Sequence, residues 1–131
     1  MRMLGIDYGS KRVGIALGES EHKMAFPKEV LPRTDDLVQK ILELCLKEKV
    51  EGIVIGESRD FKGEENKIMK AVHALKENLE NETGLPVFYQ LEFLTSAEAR
   101  RLQGKNDMLD ASAAALILKS YFDKEIFIDQ S

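Results

Sequence analysis

The chain has 131 residues, 44% of them hydrophobic and 32% charged, with a net charge of −4 and a pI near 5.3. This describes a soluble globular protein, expected as a single domain over 1–131 that buries roughly two-thirds of its unfolded surface. No stretch approaches the ~20 apolar residues of a membrane span, the N-terminus enters a strand pattern, so no signal peptide is expected, and the single cysteine, Cys45, excludes an internal disulfide and a cysteine-rich zinc site. The expected location is the cytoplasm, with no membrane association. The acidic balance argues against bulk affinity for nucleic acid, which runs on Lys and Arg neutralising phosphates, but it leaves room for a local basic patch beside an acidic site.

Met3 to Tyr8 is an almost continuous apolar run, the pattern of a central strand buried on both faces. Gly9 and Ser10 make a turn. From Arg12 to Gly18 the chain alternates, with Val13, Ile15 and Leu17 on one face and Gly14 and Ala16 on the other. Met24 to Leu31 returns antiparallel, and Pro27 predicts an edge position or a bulge. The chain therefore opens with a three-strand meander.

Thr34, Asp35 and Asp36 start a helix that runs to about Lys49, with Leu37, Val38, Ile41, Leu42 and Cys45 turned inward. Gly52 to Gly56 (GIVIG) is the next buried strand, parallel to the first, because a helix joins them. A polar loop, Glu57 to Gly63, leads to a helix over about Glu64 to Asn81, with Ile68, Val72, Leu75 and Leu79 at helical spacing and Gly84 after its end. Pro86 to Leu91 is a further strand. Thr95 to Glu98 fits a capping box for a short helix that stops at Gly104. Asn106 or Asp107 caps a last helix running to about Phe122, and Ile126 to Ile128 is expected as a small extra strand or docked tail. The sum is an α/β chain with a mixed five-stranded sheet, meander plus parallel strands, flanked by helices.

Three carboxylates stand in awkward places. Asp7 ends the first strand, Glu92 follows the last main strand, and Asp110 lies in the first turn of a helix that is apolar almost all round. A charge in such surroundings costs free energy unless something compensates it. Each residue alone is of the kind that caps a helix or faces solvent. Jointly, if Asp7 and Glu92 end adjacent parallel strands, they meet at one sheet edge, where active sites of open α/β sheets form. Two carboxylates ~5 Å apart repel by roughly 3 kcal/mol at an effective dielectric near 20. Either a cation sits between them or one is protonated. Oxygen ligands of this type suit Mg²⁺ or Mn²⁺, and two such ions about 4 Å apart would activate a water and stabilise the leaving oxygen of a phosphodiester.

The segment IDYGSKRVGIAL resembles the start of the YqgF family of RNase H-like proteins, named as Holliday junction resolvases and as pre-16S rRNA processing nucleases. GIVIG, LEFLTSAEAR and LDASAAALILKSYF match in the same order, so the resemblance spans essentially the whole chain. It implies an RNase H-like fold, a cytoplasmic hydrolase acting on phosphodiester esters, and a divalent metal held by Asp7, Glu92 and Asp110. The sequence departs from the family pattern at Phe93, where an arginine is usual, at Glu57 and Ser58, where Leu-Pro is usual, and at Met108, where a lysine is common. Those departures touch substrate contacts and leave the three carboxylates intact.

Ser10, Lys11 and Arg12 beside Asp7, and Arg100 near Glu92, are the candidate substrate contacts; a solvated turn and a solvated helix face are the plainer alternatives. His22 and His73 have no ligand partner in the sequence, and Cys45 reads as core packing. The implied partner is nucleic acid, either structured RNA or branched DNA, with a homodimer suited to a two-fold junction. Two other readings stand beside the nuclease. One is a non-catalytic RNase H-like interaction module. The other is a nucleotide-binding fragment, because the Asp-x-Gly-Ser turn also resembles the phosphate loop of the actin and sugar-kinase superfamily.

Overall fold

A computed structural model describes residues 1–9, 11–57, 68–91 and 109–129. Its strands are β1 (Arg2–Tyr8), β2 (Arg12–Glu19), β3 (Met24–Pro32), β4 (Gly52–Glu57) and β5 (Val87–Leu91), and its helices are α1 (Leu37–Glu48), α2 (Ile68–Thr83) and α3 (Leu109–Asp129). They form a five-stranded sheet in the order β3-β2-β1-β4-β5. The β1–β2 and β2–β3 pairs are antiparallel, whereas β1–β4 and β4–β5 are parallel. The mixed sheet expected from the hydrophobic pattern is therefore present, with helices on both faces.

The apolar run of β1 is buried on both sides, and side-chain alternation sorts it between two cores. Leu4 and Ile6 join Val13, Ile15, Leu17, Ile53, Ile55 and Val87 under α1 and α2. Met3 joins Val54 under α3, with Ile117, Leu118 and Phe122. Each fully buried aliphatic side chain here contributes about 1.5–3 kcal/mol. Pro27 does lie on the edge strand. It sits at a register shift, because Ile15 pairs with Glu29 whereas Ala16 pairs with Pro27, so Lys28 is the extra residue.

Helix α1 begins one residue after Asp36. The Thr34 hydroxyl hydrogen-bonds the Asp36 carboxylate, and Lys40 lies 3.5 Å from it. The Thr34 bond, ahead of Lys40, holds the Asp36 carboxyl below its ordinary range. The inward stripe is Leu37, Ile41, Leu44 and Cys45; Leu42 is only half-buried, and Leu44 takes the position one heptad after Leu37. The helix closes on Lys49 in the left-handed conformation, φ 56°, whose N–H bonds the Cys45 carbonyl. Gly84 closes α2 at φ 70°, which glycine adopts without a steric cost.

Three expectations change. Glu57 belongs to β4, paired with Leu91, rather than to the loop after it. Ile126 to Ile128 continue α3 instead of forming a strand or tail. No Gly or Pro interrupts the chain from Leu109 to Asp129, so the helical ladder runs on through two β-branched residues of weak helix propensity. Third, β4 lies between β1 and β5, so the strands leading to Asp7 and Glu92 are not adjacent. The β1–α1–β4 crossover takes the place beside β1, and β5 adds outside it. The start of the second helix at Glu64, the Thr95 capping box with its short helix, and the cap at Asn106 or Asp107 lie outside the described residues.

Candidate active site

Because β1, β4 and β5 are parallel, their C-terminal ends share one edge of the sheet. The register places Ile6 level with Ile55 and Ile55 level with Tyr89. One step on, Asp7, Gly56 and Gln90 stand in a row. Asp7 lies on the α3 face, since its odd-numbered neighbours Met3 and Gly5 meet that helix. It is buried at 9% exposure, one of the few polar side chains so enclosed among the described residues.

What brings α3 to this edge is the smallness of the residues between them. A Cβ on Gly5 would stand 2.9 Å from the Ala114 carbonyl oxygen and 3.1 Å from Leu118 Cβ. One on Gly18 would stand 2.9 Å from both Leu118 Cδ2 and Phe122 Cε2. Gly18 pairs with Met3, so α3 runs antiparallel to β1, from the level of Gly5 at Ala114 to the level of Met3 at Phe122. Asp110 is one turn ahead of Ala114, about 6 Å along the helix. Asp7 is two residues past Gly5, about 6.6 Å along the strand. The backbone at Asp110 therefore lies over the end of β1, near Asp7. Glu92, the residue after β5, lies outside the described residues, as do Ser10 and Arg100.

The β1–β2 turn closes with the Gly9 N–H on the Arg12 carbonyl at 2.9 Å. A Cβ on Gly9 would lie 2.7 Å from that oxygen, so the turn requires glycine. Lys11 and Arg12 are both exposed. Arg12 is two residues before Gly14, the partner of Asp7, and so occupies the same face as Asp7. Arg33, which no sequence pattern singled out, belongs to this edge as well. Its N–H donates to the Lys11 carbonyl at 3.2 Å, and its guanidinium lies 4.6 Å from the centre of the Tyr8 ring. Gln90 is a second addition. Its Oε1 is buried without a hydrogen-bond partner, and its face is that of Phe88, which stacks on Tyr121 of α3. A polar residue one place before the end of the strand VFYQL was the available signal.

His73 is not an isolated surface residue: its Nδ1 lies 2.5 Å from the Tyr89 hydroxyl. His22 is exposed. Cys45 is buried, and burial pushes its thiol up to about 11. Among the described residues no three His, Cys, Asp or Glu side chains gather as a metal site, and no helix is long and apolar enough to cross a membrane.

A three-strand meander continued by parallel strands, with two helices on one face and a third across the other, is the RNase H-like arrangement. Solved structures with this fold include Thermus thermophilus RuvC in complex with a Holliday junction substrate, at 17% identity and TM-score 0.65, covering 96% of each chain. The fowlpox virus Holliday junction resolvase aligns at 11% identity and TM-score 0.59, covering 95% of this chain and 99% of that one. At these identities the likeness is one of fold. The sequence goes further: the chain belongs to the RuvX (YqgF) family, whose model, described as Holliday junction resolvase, matches residues 1–124. It is 35% identical over 133 residues to the "Putative pre-16S rRNA nuclease" of Maridesulfovibrio salexigens, covering 92% of this chain and 97% of that one. It is 32% identical over 136 residues to the protein of the same name from Limosilactobacillus fermentum, covering 94% of each.

Proposed function

We propose that this chain is a cytoplasmic, metal-dependent endonuclease that hydrolyses phosphodiester bonds in the maturation of the 5′ end of pre-16S rRNA. The observation that carries the reading is the burial of Asp7 at the shared edge of the parallel strands, beneath the N-terminal turn of α3. An enclosed carboxylate is costly unless a cation or a hydrogen-bond network compensates it. Family membership supplies the nuclease class.

In this reading Asp7, Glu92 and Asp110 hold Mg²⁺ or Mn²⁺. The donor set fits: all three offer hard oxygen atoms, as these ions prefer. Phe88 and Gln90 of β5 lie on the face of Asp7. The orphaned Gln90 Oε1 adds an oxygen acceptor on that face. When bound, a pair of such ions supplies an activated water and stabilises the leaving oxygen. The chain's own residues do the rest. The low-dielectric surroundings of Asp7 strengthen every charge interaction made there. Lys11 and Arg12 on the turn, with Ser10 and Arg100, hold the substrate's phosphates, and the glycine-closed turn keeps Arg12 on the carboxylate face.

The test is a cleavage assay with Mg²⁺ and with Mn²⁺ on a precursor rRNA fragment and on a four-way DNA junction. Asp7→Asn is expected to reduce cleavage to background with an unchanged melting temperature. Cleavage undiminished in that variant sinks the assignment. The family description favours a second reading, a Holliday junction resolvase acting as a homodimer on branched DNA. Cleavage of the junction with the rRNA left intact would select it.

A further inference from the structure

On the other side of β1 from Asp7, a cleft of about 220 Å³ opens at the same sheet edge, between Tyr8, the start of α1 and the middle of α2. Its apolar wall is Tyr8, Leu37, Val38 and Leu75, and its polar rim includes Asp35 and Asn78. Arg33 stands over the Tyr8 ring. We propose that this cleft receives one unstacked nucleobase of the nuclease's own substrate strand, an inference that rests on the nuclease reading above.

The size is below the 300–1,000 Å³ of a drug-sized site and suits a single planar ring system. The charge selects which part of a nucleotide enters. Asp35 on the rim repels a phosphate but accepts hydrogen bonds from base N–H groups, and Asn78 both donates and accepts. Aromatic rings and arginine planes are what proteins use to hold splayed-out bases of single strands. Tyr8 and Asp7 are consecutive, with side chains on opposite faces of one strand. A chain whose phosphate rests at Asp7 therefore needs only to cross the sheet edge for a neighbouring base to reach the cleft. Arg33 is tied by its N–H to the Lys11 carbonyl, which couples the cleft to the phosphate-holding turn.

The test uses the full chain and fluorescence anisotropy with two probes: a single-stranded RNA pentamer, and an abasic ribose-phosphate chain of the same length. The intact pentamer is expected to bind on the order of tenfold more tightly. Ala74→Phe, at an exposed position of α2 lining the cleft, is expected to fill it and to equalise the two probes, leaving the abasic affinity and the melting temperature as they were. Equal affinities in the parent protein, or discrimination that persists in Ala74→Phe, overturns the proposal. Both readouts are binding, so they are independent of whether the Asp7→Asn cleavage assay upholds the nuclease.

Discussion

The two faces of the sheet are built on opposite principles. The α1/α2 face is filled by large aliphatic side chains, among them Ile6, Ile15, Ile41, Ile53 and Ile55, all fully buried. The α3 face is largely made of small residues. Gly5 and Ala16 lie beneath Ala114 and Ala115, and Gly18 lies beneath Leu118 and Phe122, with bulk supplied by Met3, Val54, Ile117, Leu118 and Phe122. A layer of Leu and Ile keeps a helix at a distance and contributes stability through buried area. A layer of Gly and Ala buries less but lets the helix backbone approach. The close approach is on the side that carries Asp7 and the first turn of α3, so one face supports the fold and the other sets the helix backbone against Asp7.

The sharpest way to break the comparison is to change one residue on each face. Ile55→Ala on the α1/α2 face is expected to cost about 2–5 kcal/mol in urea unfolding, while the protein that stays folded keeps its cleavage rate. Gly5→Ala, on the α3 face, forces the Ala114 carbonyl or the strand to move, because the added Cβ meets backbone at 2.9 Å. Its expected cost is smaller, about 1–3 kcal/mol, but the cleavage rate of its folded fraction should fall, since the first turn of α3 shifts relative to Asp7. Equal loss of rate in the two variants would erase the distinction between the faces.

A third effect is read from pH. Cys45 is in the α1/α2 core, with its thiol raised from 9.0 to about 11 by burial. The folded protein thus keeps a proton that the unfolded chain releases, so this contribution is full below pH 9 and is lost as pH rises toward 11. The loss is about 1.4 kcal/mol per pH unit within that window. Cys45→Ala should lose stability less steeply between pH 9 and 11 than the parent, whatever its stability at pH 7; parallel slopes would mean that the thiol is not desolvated. The smallest effect lies outside both faces. Lys49 holds a left-handed conformation at φ 56° with its side chain exposed, and Lys49→Gly is expected to stabilise by about 1 kcal/mol, raising Tm by a few degrees.

The sequence by itself determined most of the described elements and their type, the C-terminal end of α3 excepted. A run such as Met3 to Tyr8 can be buried on both faces only as a central strand. The alternation of Val13, Ile15 and Leu17 declared which side of β2 faces the larger core, and Pro27 declared an edge because proline cannot donate to a ladder. These signals are local, carried by neighbours in the chain. Asp7 was legible as a costly charge for the same reason, since its apolar neighbours precede it directly. Only the tertiary structure decided what depends on residues distant in sequence. The insertion of β4 between β1 and β5 follows from packing rather than periodicity. So does the placing of Arg33 over Tyr8 and of Gln90 level with Asp7. Gly5 read as one more small residue in an apolar strand. Its role, as the point where α3 comes down on the sheet, exists only once a helix more than a hundred residues away has been laid across it.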